Sequence, residues 1–219
     1  MSSFLKEKWE NLTASLQMST QEKWWDILCS RYSEPCRKFH TFFHLEHMFK
    51  LMDSNSDDIH DKTSMSYAIF FHDIVYDAKS QDNEEESVKV FREFAGDSGI
   101  VENEELVTKV VDLIMSSKGC TEEHMSEGLF GKDDVHYFQD FDINYLSAKN
   151  SDYLKYASMI EEEYSFIPKT KYCFMRLKVL EHFLQIPNIY ATKMFRDKYE
   201  EQARKNIKDE IQSLNKSAS

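Results

Sequence analysis

The dipeptide His72-Asp73 stands in a run of mainly apolar residues, 68–75 (AIFFHDIV). Burying a carboxylate beside an imidazole costs free energy unless a binding partner satisfies both groups. A divalent metal ion is such a partner, because imidazole nitrogens and carboxylate oxygens are both common ligands of first-row transition metals. The pair therefore indicates a candidate metal site.

Two further ligand types stand at useful distances in the chain, His44 upstream and Asp142 downstream, with Asp140 as the alternative to Asp142. This mixed donor set suits one divalent ion of Mn, Fe, Co, Ni or Mg. Such an ion would polarise a phosphoryl oxygen and lower the pKa of a bound water. The alternative interpretation is that both histidines are ordinary, partly buried side chains and that Asp73 caps or pairs locally.

Five segments resemble, in order, the motifs of the HD superfamily of metal-dependent phosphohydrolases, and in particular the subgroup described as predicted metal-dependent HD phosphohydrolases. The first resembles that subgroup's E-P-x-R-x-Y-H-x-x-x-H signature. The segments are 32–44 (YSEPCRKFHTFFH), 71–77 (FHDIVYD), 82–85 (DNEE), 138–143 (FQDFDI) and 203–207 (ARKNI). The resemblance covers about residues 24–210, nearly the whole chain.

The resemblance implies an all-α HD-domain helical bundle that forms a single domain. It implies that one divalent metal ion is bound by His44, His72, Asp73 and Asp142. Asp142 is favoured over Asp140 because the last aspartate of the family is followed by an apolar residue. The implied activity is hydrolysis of a phosphoester or phosphoanhydride of a small molecule by attack of a metal-activated water. A nucleotide is the favoured substrate.

Four more residues are candidates for catalysis or substrate binding. Asp77 lies four residues after Asp73 and shares its face if the helix continues, so it could orient the water or protonate the leaving group. His40 lies four residues before His44 and could contact a phosphate or support the metal ligands. Arg37 and Lys118 are candidates for phosphate contacts. The alternative interpretation is a turn residue for Asp77 and a plain solvated charge for Arg37 and Lys118.

Two departures from related motifs limit the functional prediction. Tyr76 stands where alarmone hydrolases have glutamate in H-D-x-x-E-D, which argues against that substrate. Cys120 stands where a histidine is expected for a second metal ion, which favours a single ion. The alternative function is therefore a catalytically silent metal- or nucleotide-binding module, and a helical interaction protein without metal is a weaker third hypothesis.

The composition of the chain argues against several kinds of binding partner and cellular location. The net charge of −12 argues against a general surface for nucleic acid or an anionic membrane. The four cysteines form no C-x-x-C pair, and no segment is typical of a signal peptide or a transmembrane helix. We expect a cytoplasmic protein with reduced thiols and a small phosphorylated substrate, without nucleic acid or membrane partners. A homodimer is left open.

Few glycines (5) and prolines (3), together with apolar residues at a period of 3.6, predict helices almost throughout. We expect one domain over 1–219, with the metal-site core at about 24–150 and C-terminal helices at about 151–214 packed on it. The fifth helix should stop at Gly96. Other predicted helices include about 41–52, 63–75, 134–148, 152–164, 169–184 and 189–214.

Overall fold

The structure is a computed structural model that describes residues 3–217. This part of the chain is all-α, with 71% helix and no strands, which confirms the predicted fold class. The chain divides after Lys118 into two compact units. In chain order the α-helices are α1 (Ser3–Leu12), α2 (Met18–Tyr32), α3 (Phe42–Ser54), α4 (Lys62–Phe71), α5 (Asn83–Ser98), α6 (Glu104–Ser116), α7 (Glu122–Met125), α8 (Asp134–Ile143), α9 (Asn150–Glu163), α10 (Lys169–Gln185) and α11 (Lys193–Ser217).

Helix α4 is the central element of the first unit. Its second half, residues 67–71, is buried on all sides, as expected of a helix surrounded by others, and it contacts α3, α5 and α6. Phe70 packs edge-on against Trp9, with ring centroids 5.3 Å apart, and Phe71 stacks on Phe94 at 5.1 Å. The residue pair His72-Asp73 therefore follows directly from the most deeply buried helix of this unit.

Two helices of the first unit end at positions that differ from the prediction. Helix α4 ends at Phe71, before His72, rather than near residue 75. Helix α5 continues through Gly96 to Ser98, so the predicted stop at Gly96 is wrong. Gly99 ends the helix instead, because its positive φ of 79° lets the chain turn out of the helix at no steric cost.

In the second unit, polar side chains fix the start and the middle of helix α11. The buried carboxylate of Asp140 accepts hydrogen bonds from the backbone N–H groups of Ala191 (2.7 Å) and Thr192 (2.9 Å) just before the helix. The buried amide of Asn206 donates to the carbonyls of Leu146 and Ala148, both at 2.8 Å. These bonds fix a 3₁₀ turn, Asn144–Ser147, that follows α8 where the sequence predicts continuous helix.

The division after Lys118 falls inside the range 24–150 that the sequence assigns to one metal-site core. The single-domain assignment stays a prediction. Within residues 3–217, no helix combines the length and apolar character needed to cross a lipid bilayer.

Buried His124 occupies the third position of the short helix α7. Its Nδ1 accepts a hydrogen bond from the backbone N–H of Thr121 at 3.1 Å, the reciprocal bond of a capping box. Burial, and then the charge of Arg196, lowers the pKa of His124 to about 4. Protonating the imidazole would therefore remove the capping hydrogen bond and place a positive charge on a buried ring.

We predict that His124 contributes to acid sensitivity. Because its pKa in the folded state lies below the unfolded value of about 6.5, its contribution is complete above pH ~6.5 and is lost as the pH falls towards 4. The loss should reach up to about 3 kcal/mol. Urea unfolding at pH 7 and pH 4.5 measures it, with His124→Gln as the control that keeps a capping acceptor but does not titrate. Equal losses of stability in the two proteins would contradict the prediction.

Candidate metal centre

The structure brings His44 and His72 together inside the first unit. His44 is the third residue of α3, which begins after Thr41, whose hydroxyl accepts from the N–H of Phe43 at 3.3 Å. His72 follows the last residue of α4 and keeps helical backbone angles. Both imidazoles are buried, with ring centroids 5.4 Å apart and one nitrogen of each ring within 4.8 Å of the other's. This spacing is compatible with a metal site.

One hydrogen bond fixes which nitrogen of His72 is available to a ligand. The Nδ1 atom lies 3.0 Å from the backbone carbonyl of Ile69. A carbonyl oxygen can only accept, so Nδ1 carries the proton and Nε2 presents either a lone pair or a second proton. Histidines that bind metals commonly have this arrangement, with a backbone carbonyl holding the second nitrogen.

The Nε2 atom of His72 faces the carboxylate of Asp73. The distance from Nε2 to Oδ2 is 3.2 Å. Burial raises the pKa of Asp73, but positive charge on His72, and then on His40 and His44, outweighs it and holds that pKa well below its ordinary value. Asp73 therefore stays ionised among three imidazoles, and a cation at this point would be bound by both nitrogen and oxygen.

Arg37 holds the turn that carries these side chains. Its buried guanidinium donates to the carbonyls of Asp73 (2.5 Å), Ile74 (3.0 Å) and His40 (3.3 Å). It also donates to Glu34 at 3.2 Å. The guanidinium therefore satisfies backbone carbonyls, two of them in the turn after α4, and the predicted contact between Arg37 and phosphate stays a prediction.

An aromatic stack lies beside the imidazoles. The ring of Tyr76 stacks on that of His40, with centroids 4.1 Å apart and an angle of 24°. The guanidinium of Arg37 lies over the rings of Tyr32 (5.1 Å) and Tyr76 (5.5 Å). Since His40 also lowers the pKa of Asp73, the structure places His40 close to the candidate ligands, and its supporting role stays a prediction.

Asp77 does not share a helix face with Asp73, because α4 ends before both residues. It is exposed in a turn, where its Oδ1 accepts from the N–H of Lys79 at 2.9 Å. Its backbone N–H and carbonyl are bonded to the amide of Asn83. The condition on which the sequence argument for Asp77 rested is therefore not met, and its catalytic role stays a prediction.

Lys118 is paired with carboxylates of helix α5. Its Nζ lies 2.6 Å from Oε1 of Glu85 and 3.6 Å from Glu84. The hydrogen bond to Glu85 raises the pKa of Lys118. A phosphate would have to compete with these carboxylates for the ammonium, and the predicted phosphate contact stays a prediction.

Asp140 and Asp142, the two candidates for the last metal ligand, have different surroundings in the second unit. Both oxygens of Asp140 are occupied, Oδ1 by Ala191 and Oδ2 by the N–H (2.9 Å) and hydroxyl (2.6 Å) of Thr192. Asp142 lies half-buried near the end of α8. These contacts explain Asp140 as the anchor of α11 and favour Asp142 as the ligand, whose role stays a prediction.

No family model, curated protein or solved structure matches this chain.

We predict that Arg37→Lys destabilises the protein by about 2–4 kcal/mol, because an ammonium cannot reproduce the planar fork and leaves buried carbonyls unsatisfied. Arg31→Lys is the matched control, since Arg31 is exposed and makes one ion pair with Glu34. The control should change stability by less than about 1 kcal/mol. Denaturant unfolding measures both, and equal effects would show that the buried hydrogen bonds of Arg37 do not hold the turn.

Proposed function

We propose that this protein is a metal-dependent phosphohydrolase that cleaves a phosphoester or phosphoanhydride bond of a small molecule, with a nucleotide as the favoured substrate. In this proposal one divalent ion is held by His44, His72, Asp73 and Asp142. The observation that carries the proposal is the geometry of His72, whose Nδ1 is committed to the carbonyl of Ile69 while Nε2 faces Asp73 at 3.2 Å.

This geometry supports a cation between the two side chains, either a proton or a metal ion. The lone pair of a neutral imidazole and a carboxylate oxygen are both acceptors and repel each other at that distance. A proton on Nε2 satisfies this pair, and a divalent ion bound there would also lie near the buried ring of His44, a second ligand of suitable type. A mixed set of imidazoles and carboxylates suits Mn, Fe, Co, Ni or Mg.

The charge of the protein supports a role for a metal ion with an anionic substrate. The chain carries a net charge of −12, so a phosphate group needs local positive charge to bind and react. When bound, the ion polarises a phosphoryl oxygen and lowers the pKa of a bound water to near neutrality. His40, held by the stack with Tyr76, would add positive charge when protonated, and Asp77 would take up or return a proton in the turn that follows.

The second candidate function is a metal- or nucleotide-binding module without turnover. Two observations favour it. Lys118 is already paired with Glu84 and Glu85, and the carboxylate of Asp77 already accepts a hydrogen bond within its own turn. In that case the two predicted catalytic side chains would serve as structural groups only. Metal binding is common to both functions, so turnover has to be measured separately.

We predict about one transition metal ion per chain after loading with Mn²⁺ or Ni²⁺ and removal of the excess. Asp73→Ala and His72→Gln should each lose most of this metal, because each removes a ligand from a site with few donors. Metal analysis of folded protein, with circular dichroism as a check of folding, measures the loss. His60→Gln removes an exposed histidine and should keep full occupancy. Full metal occupancy in Asp73→Ala would contradict the assignment of Asp73 as a metal ligand.

We predict that the Mn²⁺-loaded protein hydrolyses at least one compound in a panel of nucleoside mono-, di- and triphosphates and an activated phosphodiester. Asp77→Asn should keep the metal and lower kcat by about 10²–10⁴-fold, because asparagine preserves the turn but cannot exchange a proton. Lys118→Ala should weaken transition-state binding by about 2–4 kcal/mol if the ammonium reaches the phosphate. Metal binding without turnover of any compound would favour the module without catalytic activity. An unchanged kcat in Asp77→Asn would show that Asp77 only forms the turn.

A further inference from the structure

Helix α10 of the second unit carries large apolar side chains on its solvent-facing side. Phe174 is 59% exposed, Met175 40% and Val179 48%. The opposite side of the helix is buried and carries four residues, Tyr172, Cys173, Arg176 and Leu180. Contiguous apolar side chains on a protein surface mark interaction sites, whereas isolated ones do not. The function proposed above gives this side of α10 no role.

The exposed apolar side chains belong to one continuous strip of the helix surface. Residues three or four positions apart are neighbours on a helix, so Val179 lies beside Met175, and Lys178 lies beside both Met175 and Phe174. The ammonium of Lys178 lies over the ring of Phe174, 4.4 Å from its centroid, and its methylene groups add to the apolar surface. We call these four residues, Phe174, Met175, Lys178 and Val179, the α10 stripe.

Opposite charges stand beyond the two ends of the α10 stripe. Lys171 lies three residues before its first member and Glu181 two residues after its last, and both side chains are exposed. The ion pairs that α10 forms within residues 3–217 use Lys169 and Arg176 instead. At 1.5 Å per residue, Lys171 and Glu181 are about 15 Å apart along the helix axis. The stripe therefore has a cation before it and an anion after it.

This arrangement is complementary to a second copy of itself. In a two-fold symmetric dimer each surface meets the same surface of the other copy, so a contact of one residue with another occurs twice. If two α10 helices pack antiparallel with the two-fold axis near Arg176, Lys171 of each copy faces Glu181 of the other, and the apolar side chains meet between them. A parallel arrangement would place Lys171 against Lys171, and like charges at that distance repel.

We infer that the α10 stripe is the interface of a homodimer, in which the α10 helices of two copies pack antiparallel and Lys171 of each pairs with Glu181 of the other. Burial of the apolar side chains drives the association. The exposed ion pairs fix the direction of the helices more than they add to affinity. The inference is independent of the proposed function, because it involves none of the residues proposed to bind metal or substrate.

Sedimentation equilibrium of the full chain over a wide range of concentrations tests the interface. We expect the wild type to approach the mass of a dimer as its concentration rises. Val179→Glu places carboxylates in the apolar centre and should weaken association at least ~10-fold. Val101→Glu is the matched control, because Val101 in the first unit is 47% exposed, and it should associate as the wild type does. A wild type that is monomeric at every concentration, or equal effects of the two substitutions, would overturn the inference.

Reversal of the two charges tests the antiparallel packing. Lys171→Glu and Glu181→Lys each place like charges together and should weaken association about 2–10-fold, whereas the double variant restores the ion pairs and should regain the wild-type association. Circular dichroism checks that each variant is folded. Failure of the double variant to recover would overturn the antiparallel pairing.

A second measurement separates a dimer from a membrane contact. Cosedimentation with vesicles of phosphatidylserine and phosphatidylcholine is measured for the wild type and for Val179→Glu. We expect no binding of either protein to the vesicles. A wild type that stays monomeric and binds the vesicles, with Val179→Glu failing to bind, would assign this side of α10 to an anionic lipid surface and overturn the homodimer.

Discussion

The hydrogen bonds of the Arg37 guanidinium determine how the chain leaves helix α4. Backbone carbonyls in the turn that follows a helix have no partner within the helix and must be satisfied from outside. Arg37 supplies that partner for Asp73 and Ile74, and the rings of Tyr32 and Tyr76 hold its planar group from the sides. Because this turn is fixed, the carboxylate of Asp73 meets Nε2 of His72 at a defined distance, and the geometry of the candidate site follows from it.

The existence of most helices is predictable from periodicity, whereas several of their ends are not. The predicted helix at about 41–52 is observed as Phe42–Ser54, and that at 169–184 as Lys169–Gln185, because both have an amphipathic pattern over their full length. Helix α4 ends early although apolar residues continue to Val75. There the end is set by a side chain more than 30 positions upstream, which no local pattern reveals.

Site residues were predictable where the side chain itself is the chemical group. His44, His72 and Asp73 are visible in the sequence as donors, and the first unit brings them together. Arg37 is visible only as a cation, and its actual partners are backbone carbonyls, which every residue has. The same holds for Asp140, whose partners are N–H groups of residues 191 and 192. Backbone partners leave no pattern in the sequence, so the charge of such a side chain predicts a phosphate contact or a metal ligand instead.

The commitment of Nδ1 on His72 to the carbonyl of Ile69 leaves Nε2 as the one nitrogen of this ring that a proton or, under the proposed function, a metal ion would occupy. Asp73 is ionised near neutral pH, because the surrounding imidazoles hold its pKa well below the ordinary range. Under the proposed function, a carboxylate that is already ionised would release no proton when a metal ion binds. Asp73 would then provide fixed negative charge opposite whichever cation, a proton or a metal ion, is bound at Nε2 of His72.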